Sequence, residues 1–185
     1  MLGGQTAARQ RGILSARFKA NHARLTLMTA LLIENARVWD GTGSEPFPGS
    51  VLIEGQQIAA VAPSSEAVSA AEGVERLDAD GKFLMPGMTE GHAHLSFNDV
   101  SRGTALGELP PEDHALVTLD AARKLLGAGF TSACSAASAK IRLDVAVRDA
   151  IASGAFDGPR LLAASPEITV TGGLGDADQL HIHQD

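Results

Sequence analysis

His92 and His94 stand one residue apart in "LMPGMTEGHAHLSF", residues 84–97, with Glu90 two positions earlier. Side chains two apart on a strand project to the same face, so the two imidazoles would point together with the Glu90 carboxylate beside them. Two neutral imidazoles in that arrangement can clasp one divalent ion, and zinc, manganese, nickel and iron all accept imidazole nitrogen. A catalytic zinc takes about three protein ligands and a water, so the pair is part of a site. A bare His-x-His is also what an exposed strand carries by chance. Its setting favours the metal reading: a Pro-Gly stop precedes the strand, and the histidines fall at its C-terminal end, where parallel α/β sheets and barrels place their chemistry.

Two kinds of element surround the pair. From Leu31 the pattern is that of strands. "ALLIENARVWDG" ends on the turn dipeptide Asp40-Gly41, "VLIEGQQIAAVAP" folds about Glu54-Gly55 as a hairpin, and "VERLDADGKFLMPG" turns at Asp80-Gly81. Residues 31–85 thus predict a small all-β unit of four or five strands, with Trp39 packed inside. Beyond Pro86-Gly87 strands alternate with helices. "GMTEGHAHL" and "FTSACSAAS" are strands, and "PRLLAAS" with "EITVTGG" makes a third strand region. Between them lie two helices. The first is opened by Pro110, Pro111 and acids, with Leu116, Leu119, Ala122, Leu125 and Leu126 along one face. The second carries Leu143, Val147, Ala150 and Ile151 and stops at Gly154. That order implies a parallel sheet with crossover helices.

Taken together these stretches resemble the amidohydrolase superfamily. "LMPGMTEGHAHLSF" is similar to its metal-binding signature, "LLIENARVWDGTG" and "VLIEGQQIAAVAP" to its N-terminal β-sandwich, and "GAGFTSACSAAS" to its second barrel strand. "GAFDGPRLLAASPEITVTGG" resembles the third strand region of the branch holding imidazolonepropionase-like enzymes and prolidase-like dipeptidases. The chain departs from the signature at Glu90, where the family usually has Asp; the extra methylene argues against a ligand role there. The resemblance implies an α/β fold, an incomplete (β/α)8 TIM-type barrel preceded by part of a small β-sandwich. Its expected boundaries are a tail at 1–27, sandwich strands at 28–87 and barrel at 88–185. A whole barrel needs roughly 250 residues, so residues 88–185 hold about three βα units of about 30 residues each.

The implied function is metal-dependent hydrolysis of an amide, peptide or cyclic-amide C–N bond by a metal-activated water. His92 and His94 would be metal ligands, one or two ions (zinc foremost) the cofactor, and a small molecule or short peptide the substrate. In such relatives a carboxylated lysine, further histidines and an aspartate come from later strands, and none maps onto this chain. These 185 residues alone are therefore expected to be inactive and to self-associate. The alternative reading is a non-catalytic remnant, or a subunit completed by a partner chain.

Other candidates carry less. His181, His183 and Asp185 form a second His-x-His in a loop-like stretch that matches no family ligand. Lys140 precedes a helix rather than ending a fourth strand. Cys134 has no nearby histidine to act as base and is expected as a small buried strand residue. His22 and His114 are expected to face solvent. A formal charge of -7 argues against a nucleic-acid surface, and no apolar run approaches the roughly 18 residues of a membrane span. One cysteine allows no intrachain disulfide, so a reducing, cytoplasmic setting is expected. Residues 1–27 are Arg-rich, with no acid before Glu34. That composition suits a disordered tail, or sequence ahead of a true start at Met28, better than a targeting presequence.

Overall fold

The computed structural model describes residues 30–97, 108–173 and 175–176. The tail at 1–27 and the His181/His183/Asp185 cluster lie outside the described residues, as does His22. The chain divides into two compact units, Met1–Pro86 and Gly87–Asp185.

In the first unit β1 (Leu31–Val38), β2 (Phe47–Glu54) and β3 (Gln57–Pro63) form an antiparallel meander in the order β3-β2-β1. Two short strands, β4 (Glu75–Asp78) and β5 (Phe83–Leu84), pair in parallel with successive parts of β1. The described strands make one five-stranded mixed sheet; no second layer of a sandwich is present among them. Ile33, Ala36, Val38 and Val51 form its apolar cluster, joined by Phe47, Ile53 and Leu84. Trp39 is half-buried.

The β1 ladder slips at Asn35, which takes a left-handed backbone (φ 53°) between Ile33 and Ala36. Asn and Asp tolerate that region because their short polar side chains bond locally. Here Asn35 Nδ2 donates to Asp78 Oδ1 at 3.1 Å, and the Gly81 amide donates to the Asn35 carbonyl at 2.8 Å. The Asp80-Gly81 turn expected from the sequence is thereby fastened to the bulge.

The second unit is a three-stranded parallel sheet in the order β6-β7-β8: Met88–Ala93, Phe130–Ser135 and Arg160–Leu162. α1 (Pro111–Gly127) lies between β6 and β7, and α2 (Leu143–Ala152) between β7 and β8. Ala93, Ala133 and Leu161 from the strands and Leu95 from the turn after β6 form one core with Ala122 of α1 and Val147 of α2. Both helices therefore cover the same face of the sheet.

Three expectations need correction. "EITVTGG" forms no strand; Ile168 is fully exposed and Val170 nearly so. The inner stripe of α1 runs through His114, Thr118 and Ala122, with Leu119, Ala121 and Leu125 packed beside it, while Leu116 is 65% exposed. His114, expected at the surface, is 0% exposed. Positions 114, 118 and 122 share a face at four-residue spacing, and that face carries the smaller and more polar residues. Of the expected stripe, Leu119, Ala122 and Leu125 do join the core, and Leu116 is the member that faces out.

Pro-Gly ahead of β6 has a steric reason. A Cβ on Gly87 would overlap the Thr131 side chain of β7, including its Cβ, which no rotation can remove. Only glycine lets the two strands begin this close.

Candidate metal centre

β6 ends at Ala93, so His92 lies within the strand and His94 is the first residue beyond it. The ladder with β7 is irregular between Glu90 and Ala93. The rings nevertheless converge. Nε2 of His92 and Nε2 of His94 lie 3.2 Å apart, with ring centroids 5.0 Å apart and planes at 79°. Two imidazoles on one tetrahedral zinc, at Zn–N of roughly 2.0–2.1 Å, place their nitrogens about 3.3 Å apart. The pair fits a divalent ion in donor type and in separation.

The surroundings hold this geometry. Glu90 Oε1 accepts the backbone N–H of His92 at 2.9 Å, so its carboxylate braces the strand at the irregular ladder. Past His94 the chain turns, the Phe97 amide donating to the His94 carbonyl at 3.1 Å. The Phe97 ring stacks on the His94 ring at 4.3 Å and 26°. Phe97 was not singled out from the sequence, although an aromatic three residues past a histidine in a turn is a readable signal. Nδ1 of His94 is buried and has no hydrogen-bond partner among the described residues.

A groove of about 650 Å³ opens beside the pair, lined by His92, His94, Phe97, and Val117, Asp120 and Lys124 of α1. That size suits a small molecule. The hydrogen bond from Lys124 holds the Asp120 carboxyl below its ordinary range, with the lysine charge adding to the effect. The groove thus carries an ionised carboxylate matched by an ammonium.

Among the described residues no group of three His, Cys, Asp or Glu side chains is placed to hold an ion. Cys134 is half-buried on β7, and Lys140 is buried in the loop after it. No described helix is long and apolar enough to cross a membrane.

A pair of imidazoles at the C-terminal end of the first strand of a parallel α/β unit, behind a Pro-Gly, is the pattern against which known proteins can be compared. The chain belongs to the amidohydrolase family, which it matches over residues 83–183. It is 35% identical over 65 residues to an adenine deaminase of Edwardsiella ictaluri (strain 93-146), a match covering 35% of this chain and 10% of that protein. Among solved structures it is similar to a prolidase complexed with N-methylphosphonate-L-proline, at 25% identity and TM-score 0.69, over 80% of this chain and 35% of that one. It is also similar to phenylurea hydrolase B, at 26% identity and TM-score 0.62, over 74% of this chain and 30% of that one. The chain therefore spans about a tenth of the curated relative and about a third of these structures.

Proposed function

We propose that this chain carries the metal-anchoring segment of an amidohydrolase that cleaves the C–N bond of an amide, peptide or cyclic amide. The observation that carries the reading is the 3.2 Å approach of the His92 and His94 Nε2 atoms. Bound there, a divalent ion, zinc by the fit of donors and spacing, would supply Lewis acidity toward a carbonyl and acidify water.

The chain's own residues contribute two donors and their alignment. Each histidine must offer a bare Nε2, which places its proton on Nδ1. Phe97 covers one face of the His94 ring, and Glu90 fixes the backbone from which His92 projects. The neighbouring groove would receive the substrate, and the family resemblance to a prolidase supports a short peptide or small amide.

The barrel reading is supported by the second unit. Consecutive βα units of a barrel keep every helix on the outer face, whereas doubly wound sheets place helices on both. The five-stranded sheet before it would belong to the superfamily's sandwich. A cytoplasmic setting and self-association are part of the same proposal.

A second reading is favoured by the lack of a third donor among the described residues: the histidines would serve a site completed by another chain. Activity that arises only when a second protein is added would select it.

The test measures divalent-ion binding and amide hydrolysis on one preparation, against dipeptides, N-acyl amino acids and phenylureas. Binding that needs both histidines supports the proposal, and any turnover must vanish in His92→Ala. Hydrolysis that survives loss of both histidines would overturn it.

A further inference from the structure

Ser96 lies two residues beyond His94, in the turn that closes β6, and is 0% exposed. Both of its oxygens are held by other elements. Its carbonyl receives a hydrogen bond from Nε2 of His114, in the first turn of α1, at 2.6 Å. Its hydroxyl oxygen accepts the amide of Ala139, in the loop after β7, at 2.9 Å. The turn bearing His94 is therefore gripped from two sides.

That grip matters because the sheet cannot supply it. β6 stops at Ala93, and its ladder with β7 is already irregular after Glu90. Pairing with β7 reaches Ala93, whose carbonyl accepts the Ala136 amide at 2.8 Å, and stops short of His94 itself. A carbonyl only accepts, so His114 must present Nε2–H to Ser96. Nδ1 of His114 is buried and has no partner among the described residues. Burying a polar nitrogen without a partner is a cost that leucine or phenylalanine would avoid. A histidine at this fully buried place is explained by the one bond it makes to the turn.

We propose that His114 and Ser96 are positioning residues for the histidine pair, holding the turn so that His94 Nε2 meets His92 Nε2. The proposal rests on the metal-anchoring reading, and its test lets the two fail separately. The full 185-residue chain is compared as wild type, His114→Leu, His114→Gln and Ser96→Ala. Glutamine keeps an N–H donor of similar reach; leucine does not. Two quantities are read: Zn(II) affinity by calorimetry, and the ring 15N shifts of His92 and His94 without metal.

The expected result is a loss of about 10–100-fold in Zn(II) affinity for His114→Leu, the size typical of residues that orient metal ligands. The metal-free His94 ring signals should move with it, and His114→Gln should recover most of both. Wild-type affinity and unmoved signals in a folded His114→Leu would overturn the proposal. So would equal losses in the Leu and Gln variants, which would mark a packing role alone. If His114→Leu does not fold, Ser96→Ala decides: weakened binding in a folded chain supports the proposal, and unchanged binding overturns it. If the wild type binds no Zn(II), the metal reading falls and the ring shifts decide alone. Shifts moved by Leu and kept by Gln then support positioning, and any other pattern overturns it.

Discussion

Gly87 and Thr131 approach so closely that no β-carbon fits between them. The contact joins the start of β6 to the start of β7, and so sets the strand from which His92 projects. Gly87→Ala should destabilise the chain by about 1–3 kcal/mol, the usual cost of overpacking. Urea denaturation followed by circular dichroism measures it. Adding Thr131→Gly should recover part of the loss; strictly additive losses would show that the two positions do not collide.

Asp144 opens α2 and is 0% exposed. Its carboxylate receives the Ser135 hydroxyl and lies 3.1 Å from the Ser138 hydroxyl, which is also 2.8 Å from the Lys140 carbonyl. These bonds tie the end of β7 and its following loop to α2. Asp144→Ala removes an acceptor and leaves buried hydroxyls without it, a loss of about 1–3 kcal/mol. Asp144→Asn, which keeps one acceptor oxygen, should lose less. A change under about 0.5 kcal/mol for the alanine variant, the range of ordinary surface substitutions, would contradict this account.

The Asp78 carboxyl is held below its ordinary range by the Asp80 amide first and then by Asn35 Nδ2. A lowered folded-state value means a stabilising contribution that is present above the unfolded value of about 3.9. It is lost as pH falls through the folded one. Wild type should therefore exceed Asp78→Ala in urea midpoint at neutral pH, and the gap should close in acid. Trp39, the single tryptophan and a member of the same unit, reports the transition. A gap that widens in acid would reverse the sign argued here.

Much of this architecture was legible because it rests on period and punctuation. The hairpin at Glu54-Gly55, the turn at Asp80-Gly81 and both helices follow from apolar spacing and from Gly, Pro and Asp at the breaks. The closeness of the His92 and His94 rings was legible from their spacing. His114 was not, because nothing in the sequence marks a polar residue at the edge of an apolar helix stripe as buried. Ile168 and Val170 misled for a related reason: β-branched residues favour strands only where a neighbour pairs with them. The stacking of Phe97 on His94 depends on a turn whose shape periodicity does not describe.

The most direct test of the central claim is a calorimetric titration of the purified chain with Zn(II), beside the same chain carrying His92→Ala and His94→Ala together. The account predicts one equivalent bound to wild type and none to the double variant, with circular dichroism unchanged between them. Equal binding to both proteins, or none to a folded wild type at millimolar metal, would contradict it.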